Sequence, residues 1–210
     1  MAKIKNRKIR MGKKIDYKKI FKLQDEVINI VFSIRNSFYL TVGNALQHFY
    51  FKYRFSDDLD FFADKDPLFN ENVNEVLNTF EDNKLAYQLT VSSRDFNCIV
   101  VKNVLKVDFV NDYIYRVGKS KLFKNFRVDN LENILANKIT EIYSRDEGKD
   151  VFDMFVIASN KKFNWSKIVD ICRKKTTFNK EYLLKRLRIF SLDWLNKIKM
   201  LKNSKLIKNI

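Results

Sequence analysis

Glycine and proline are scarce in this sequence, with four glycines and one proline in 210 residues. No Gly/Pro-rich linker therefore divides the chain, and no low-complexity tract or internal repeat is visible. The two cysteines, Cys98 and Cys172, lie far apart and fit no metal-ligand spacing, so they read as reduced core thiols of a cytoplasmic protein. The single histidine, His48, reads as an ordinary helix position. Apolar runs are short and broken by charge, and none approaches the ~20 residues of a membrane helix. The stretch MAKIKNRKIRMGKK is basic but has no apolar core behind it, which argues against a secretory signal. Acid is also in deficit: 41 Lys+Arg stand against 25 Asp+Glu, for a net charge of +16. That excess draws polyanions such as RNA, DNA and nucleotides, although Lys also accumulates with Asn, Ile and Phe through compositional drift.

Core material is ample, with 46% hydrophobic residues and 19 phenylalanines. Residues 1–14 form a basic arm. From Asp16, a plausible N-cap, Ile20, Leu23, Val27, Ile30, Val31 and Ile34 recur at helical spacing. SFYLTV reads as a buried strand ending at Gly43, NALQHFYFKY as a short helix, and DLDFFA as a second strand. An amphipathic helix follows over NENVNEVLNTFEDN, then three β segments: YQLTVSS, FNCIVV and VLKVDFV. Lys102-Asn103 separates the last two as a hairpin turn. Beyond about residue 126 the 3.6-residue period dominates and convincing strands cease. The pattern predicts an α/β (α+β) domain over 15–126, a mixed sheet flanked by helices, followed by a helical domain over 127–210.

One constellation carries chemistry. Asp58 and Asp60 alternate along a strand, so both carboxylates leave the same face, where they repel unless a cation lies between them. Hard oxygen ligands without His or Cys suit Mg²⁺ (or Mn²⁺), which is commonly held by one or two carboxylates plus substrate phosphates. Asp108 lies among Val107, Phe109 and Val110, where an unpaired carboxylate is costly to bury; on an adjacent strand it completes a three-carboxylate cluster. The Gly43-Asn44 corner before a helix can admit the phosphates of an NTP, with Asn44 as a further donor.

These residues resemble a known family. Gly43-Asn44, followed by Asp58-Leu59-Asp60-Phe61, looks like the polymerase-β-type nucleotidyltransferase signature. More narrowly, YLTVGNALQHFYFKYRFSDDLDFF is similar to AbiEii-type nucleotidyltransferase toxins, in which Gly-Gly-Thr-Ala-Leu precedes Arg-x-Ser-x-Asp-Leu-Asp-Phe. Ala45-Leu46, Arg54, Ser56, Asp58, Leu59, Asp60 and Phe61 match; Val42 replaces the first glycine and Asn44 the threonine. A later block, NILANKITEIYSRDEGKDVFDMFVI, carries the family's basic and acidic positions to Lys138, Arg145, Asp150 and Asp153. Lys138 and Arg145 are seven apart, hence on one helix face, where they can grip a triphosphate or acceptor backbone. Asp150 and Asp153 can orient them or take a proton, and a structural ion-pair network is the alternative; spacing does not choose between the two aspartates.

The resemblance implies nucleotidyl transfer from an NTP with release of pyrophosphate. Asp58, Asp60 and Asp108 would hold metal, Gly43 and Asn44 the β/γ-phosphates, and Arg54 and Ser56 further phosphate contacts, with Lys138 neutralising developing charge. It further implies a toxin of a toxin–antitoxin or phage-defence pair with an antitoxin partner, acting as a monomer on an RNA such as the tRNA 3′ end. The basic helices, with Arg173, Lys174, Lys175, Lys180, Lys185, Arg186 and Arg188, would suit an RNA backbone. Two rivals remain: a transferase that modifies a small molecule or a protein, and a non-catalytic binding module on a decayed fold.

Overall fold

The computed structural model describes residues 16–201; the basic arm at 1–14 lies outside them. Helix α1 (Tyr17–Val31) starts where the Asp16 carboxylate accepts from the Lys19 N–H, and it buries Leu23, Gln24, Val27, Ile28 and Val31. Strand β1 (Tyr39–Leu40) is only two residues long, shorter than SFYLTV suggested. It leads into the single-turn helix α2 (Val42–Ala45) and a π-helical turn, Leu46–Tyr50. Strand β2 (Leu59–Asp64), helix α3 (Phe69–Asp82) and strands β3 (Tyr87–Ser92), β4 (Phe96–Val101) and β5 (Leu105–Asp112) follow as the sequence predicts. Strands β6 (Lys121–Phe123) and β7 (Phe126–Val128) were not expected. Each is three residues long, too short for alternation to register.

The strands form one mixed sheet in the order β3-β4-β5-β2-β1-β7-β6. Strands β2 and β5 pair in parallel, as do β1 and β7, while the other neighbours are antiparallel. Helices α1 and α3 share a core with the central strands, centred on the fully buried Phe38, Leu59, Phe61, Phe80 and Phe109. Helices α4 (Leu131–Ser144), α5 (Gly148–Asn160), α6 (Trp165–Lys175) and α7 (Lys180–Arg188) build a second core around Ile134, Leu135, Ile157 and Cys172. Ala45 and Leu46 belong to that second core, so the corner after β1 touches both halves. Helix α7 stops at Arg188, and a 3₁₀ segment, Leu192–Lys197, follows.

Glycine scarcity shows in the turns. Lys52, Lys65, Lys84, Lys102 and Lys124 all take left-handed backbone, with φ between 48° and 57°. These are positions where glycine would carry no steric cost. Cys98 and Cys172 are buried free thiols. Among the described residues no helix is long and apolar enough to cross a membrane.

Candidate functional site

The parallel pairing of β2 with β5 sets Asp60 directly opposite Asp108, with Leu59 opposite Val107 and Phe61 opposite Phe109. Apolar neighbours fill the core face, so the two carboxylates share the other. Asp58 precedes the first residue of β2 and is exposed at the mouth of the group. Asp108 is 8% exposed; its Oδ2 accepts from the Lys106 ammonium, while its Oδ1 is buried with no partner. Burial, then the charges of Asp108 and Asp58, push the Asp60 carboxyl up to about 6 against the pull of Lys138 and Lys106. Asp58 is raised as well, by desolvation against the pull of Lys106, with Asp108 and Asp57 adding to the rise.

Two features fit a divalent cation: a donor set of hard oxygens, and a buried carboxylate oxygen at Asp108 that nothing in the chain satisfies. The shell is not closed by protein alone, since among the described residues no three acidic, His or Cys side chains meet at metal-ligand spacing. Asp60 and Asp108, with Asp58 at the mouth, are the residues that would hold such an ion. Lys106 was missed in the sequence; its signal was the alternation Lys106-Val107-Asp108, which puts cation and carboxylate on one face.

The bend before the carboxylates is tight. A Cβ on Gly43 would stand 2.7 Å from Ser56 Oγ and 2.8 Å from Arg54 Nη2. Glycine there lets the segment leading into β2 lie against α2. Val42, at the family's first glycine, has φ 45°, a left-handed conformation that strains a β-branched residue. Asn44 is fully buried, and both of its side-chain amide atoms lack partners. Its amide is therefore not presented to solvent as an exposed phosphate donor would be.

Arg54, Lys138, Asp150 and Asp153 form one buried ionic network. The Arg54 guanidinium donates to both Asp153 oxygens, at 2.7 and 2.6 Å. Lys138 Nζ lies 2.8 Å from Asp150 Oδ1 and from Glu141 Oε2, and 3.4 Å from Asp153 Oδ2. Arg145 caps the end of α4 and reaches Asp150 through Nε at 2.8 Å. Burial works against the charged Lys138, but Glu141, Asp153 and Asp150 outweigh it and raise its pKa. The same balance raises Arg54, with Asp153 as its main support. Asp150 is held well below the ordinary carboxylate range, as Lys138 and Arg145 overcome its burial. Lys138, 3% exposed, thus acts on Asp60 through its field and not as an open phosphate contact. Of the paired aspartates, Asp153 joins Arg54 to Lys138, and Asp150 joins Lys138 to Arg145.

The His48 side chain is buried, stacked on Phe21 and bonded to Asp25, Gln24 and Gln47; that burial, with Lys52 adding to it, lowers its pKa to about 4. A second buried anion, Asp129, also went unread in the sequence. It accepts from Thr41, Arg116 and Asn133, and so anchors the start of α4 beside β1. Among the basic residues of the last helices, Lys174 lies over the Tyr115 ring at 5.0 Å, and Arg186 donates to the Ile142 carbonyl.

A family model described as nucleotidyl transferase AbiEii toxin, type IV toxin–antitoxin system, matches residues 33–205. The chain belongs to the AbiEii nucleotidyltransferase toxin family. It is thus a nucleotidyltransferase of a family whose members are toxins of type IV toxin–antitoxin systems. The fold of this AbiEii chain is similar to that of the crystal structure of JHP933 from Helicobacter pylori, with TM-score 0.57 and 17% identity over 85% of this chain and 81% of that one. A proposed nucleotidyltransferase from H. pylori superposes with TM-score 0.54 and 16% identity, over 81% of this chain and 91% of its own. Among curated proteins, none matches the chain.

Proposed function

We propose that this toxin moves a nucleotidyl group from an NTP to a hydroxyl of an RNA acceptor, such as the 3′ end of tRNA, with Mg²⁺ or Mn²⁺ at Asp58, Asp60 and Asp108. The observation that carries the reading is the parallel register of Asp60 with Asp108, whose free buried Oδ1 lies on the carboxylate-bearing face. When bound, the divalent ion would supply Lewis-acid neutralisation of the triphosphate. In the transfer the acceptor oxygen bonds to the α-phosphorus, and the bond from that phosphorus to pyrophosphate breaks. The hydroxyl proton passes to a carboxylate, and Asp108, whose buried Oδ1 has no partner in the chain, is the base we assign to it.

The rest of the chain supports geometry. Gly43 admits the Arg54–Ser56 segment, Asp153 holds Arg54 in place, and Lys138 tempers the charge on Asp60. A cleft of about 240 Å³ is lined by Arg54, Lys149, Lys197 and Lys199 but also by Asp57, Asp146 and Glu147, so its charge is mixed; the Trp194 ring offers a surface on which a base would stack. Incubation with labelled NTPs, Mg²⁺ and total tRNA tests the reading. Transfer by the wild type and none by Asp108→Asn is expected; label on protein or small molecules in place of RNA would redirect the acceptor. Nucleotide-independent RNA binding without transfer would favour a binding module.

A further inference from the structure

Lys106 lies two residues before Asp108 on β5, on the same face as the carboxylates. Its ammonium holds one oxygen of Asp108, and the other oxygen is unpartnered. Its charge also reaches Asp58 and Asp60, whose ionisation it favours. The other cations near the group are differently placed. Lys138 is buried and committed to Glu141, Asp150 and Asp153, whereas Lys149 is a weaker influence on Asp58. The Lys106 side chain remains 45% exposed, on a four-carbon stem that can swing without disturbing the core. A divalent ion on Asp108 and the Lys106 ammonium on the same carboxylate would repel each other at contact distance.

We infer that Lys106 is a tethered counter-ion that holds Asp108 in the metal-free protein and is displaced when a divalent cation binds the carboxylates. This rests on the metal role given to Asp58, Asp60 and Asp108 above. It makes metal occupancy an exchange of one cation for another, with Lys106 remaining protonated throughout. The exchange raises the metal concentration needed to load the site, and it frees an ammonium beside the place where an anionic triphosphate would arrive. Lys106 is therefore a positioning residue that sets when the site is charged.

Binding of Mn²⁺ alone, without nucleotide, tests this, followed by electron paramagnetic resonance of the free ion in wild type, Lys106→Met, Lys106→Gln, Lys106→Arg and Asp60→Asn. Removing the charge in Lys106→Met and Lys106→Gln should tighten Mn²⁺ binding by about tenfold or more, and Lys106→Arg should not. The rise in melting temperature on adding Mn²⁺ should also be larger in Lys106→Met than in the wild type. Unchanged or weaker Mn²⁺ binding in both neutral variants would overturn the counter-ion role. If wild type and Asp60→Asn bind Mn²⁺ equally, the metal role of the carboxylates is what fails.

Discussion

Replacing Asp60 with asparagine should make the metal-free protein more stable at neutral pH. In the folded chain the Asp60 carboxyl titrates at about 6, against an ordinary value of 3.8. The folded state therefore holds its proton more tightly than the unfolded chain does. Below pH 3.8 both states are protonated and the group is neutral in its effect. As pH rises from 3.8 through 6 the unfolded chain loses its proton first, and folding stability falls. Above that window the full shift corresponds to about 3 kcal/mol against the fold. Asparagine keeps the shape and never ionises, so it removes that cost. Denaturant unfolding of wild type and Asp60→Asn, both in EDTA, should show curves that nearly coincide at pH 4 and separate progressively up to about pH 6.5. The plateau should favour the variant by about 2–3 kcal/mol, or roughly 5–10 °C in melting temperature. Mn²⁺ should then narrow the gap, because only the wild type gains a ligand there. A variant less stable than wild type at every pH would refute the idea that these carboxylates are held together against their own repulsion.

Three further substitutions probe the frame around them. Asp153→Ala strands the buried Arg54 guanidinium and should cost about 3–5 kcal/mol in urea unfolding at any pH where carboxylates are ionised. Gly43→Ala drives a methyl against Ser56 and Arg54 and should cost about 1–3 kcal/mol, part of which Ser56→Gly in the same chain restores. Val42→Gly relieves left-handed strain of about 1–2 kcal/mol while loosening the unfolded chain by somewhat less, so calorimetry should find its melting temperature raised by roughly 1–3 °C.

Alternation along DLDFFA and VLKVDFV was enough to put Asp60 and Asp108 on one sheet face, and the Lys102-Asn103 turn fixed the hairpin that delivers the second strand. Composition showed what had to be buried, and the change of period after residue 126 announced the four helices. What the sequence hid was long-range and ionic. Nothing local reveals that Arg54 meets Asp153, 99 residues away, so cations that read as phosphate contacts prove to be buried cross-links. The strands β6 and β7 lacked the length to show a period, and of the left-handed lysines only Lys102, followed by Asn103, carried a turn signature. Lys106 was overlooked because a lysine on a strand face is ordinarily a solvated one.

Near its end the described chain returns to the segment that leads into β2. Met200 bridges Arg54, the Phe55 N–H donates to the Lys199 carbonyl, and the Leu201 N–H donates to the Tyr53 carbonyl. The edge of the carboxylate site is thus fastened by backbone pairing with residues distant in sequence. Breaking that clasp at Lys199–Leu201 would slacken the run that delivers Asp58 and Asp60 without removing a single acidic residue.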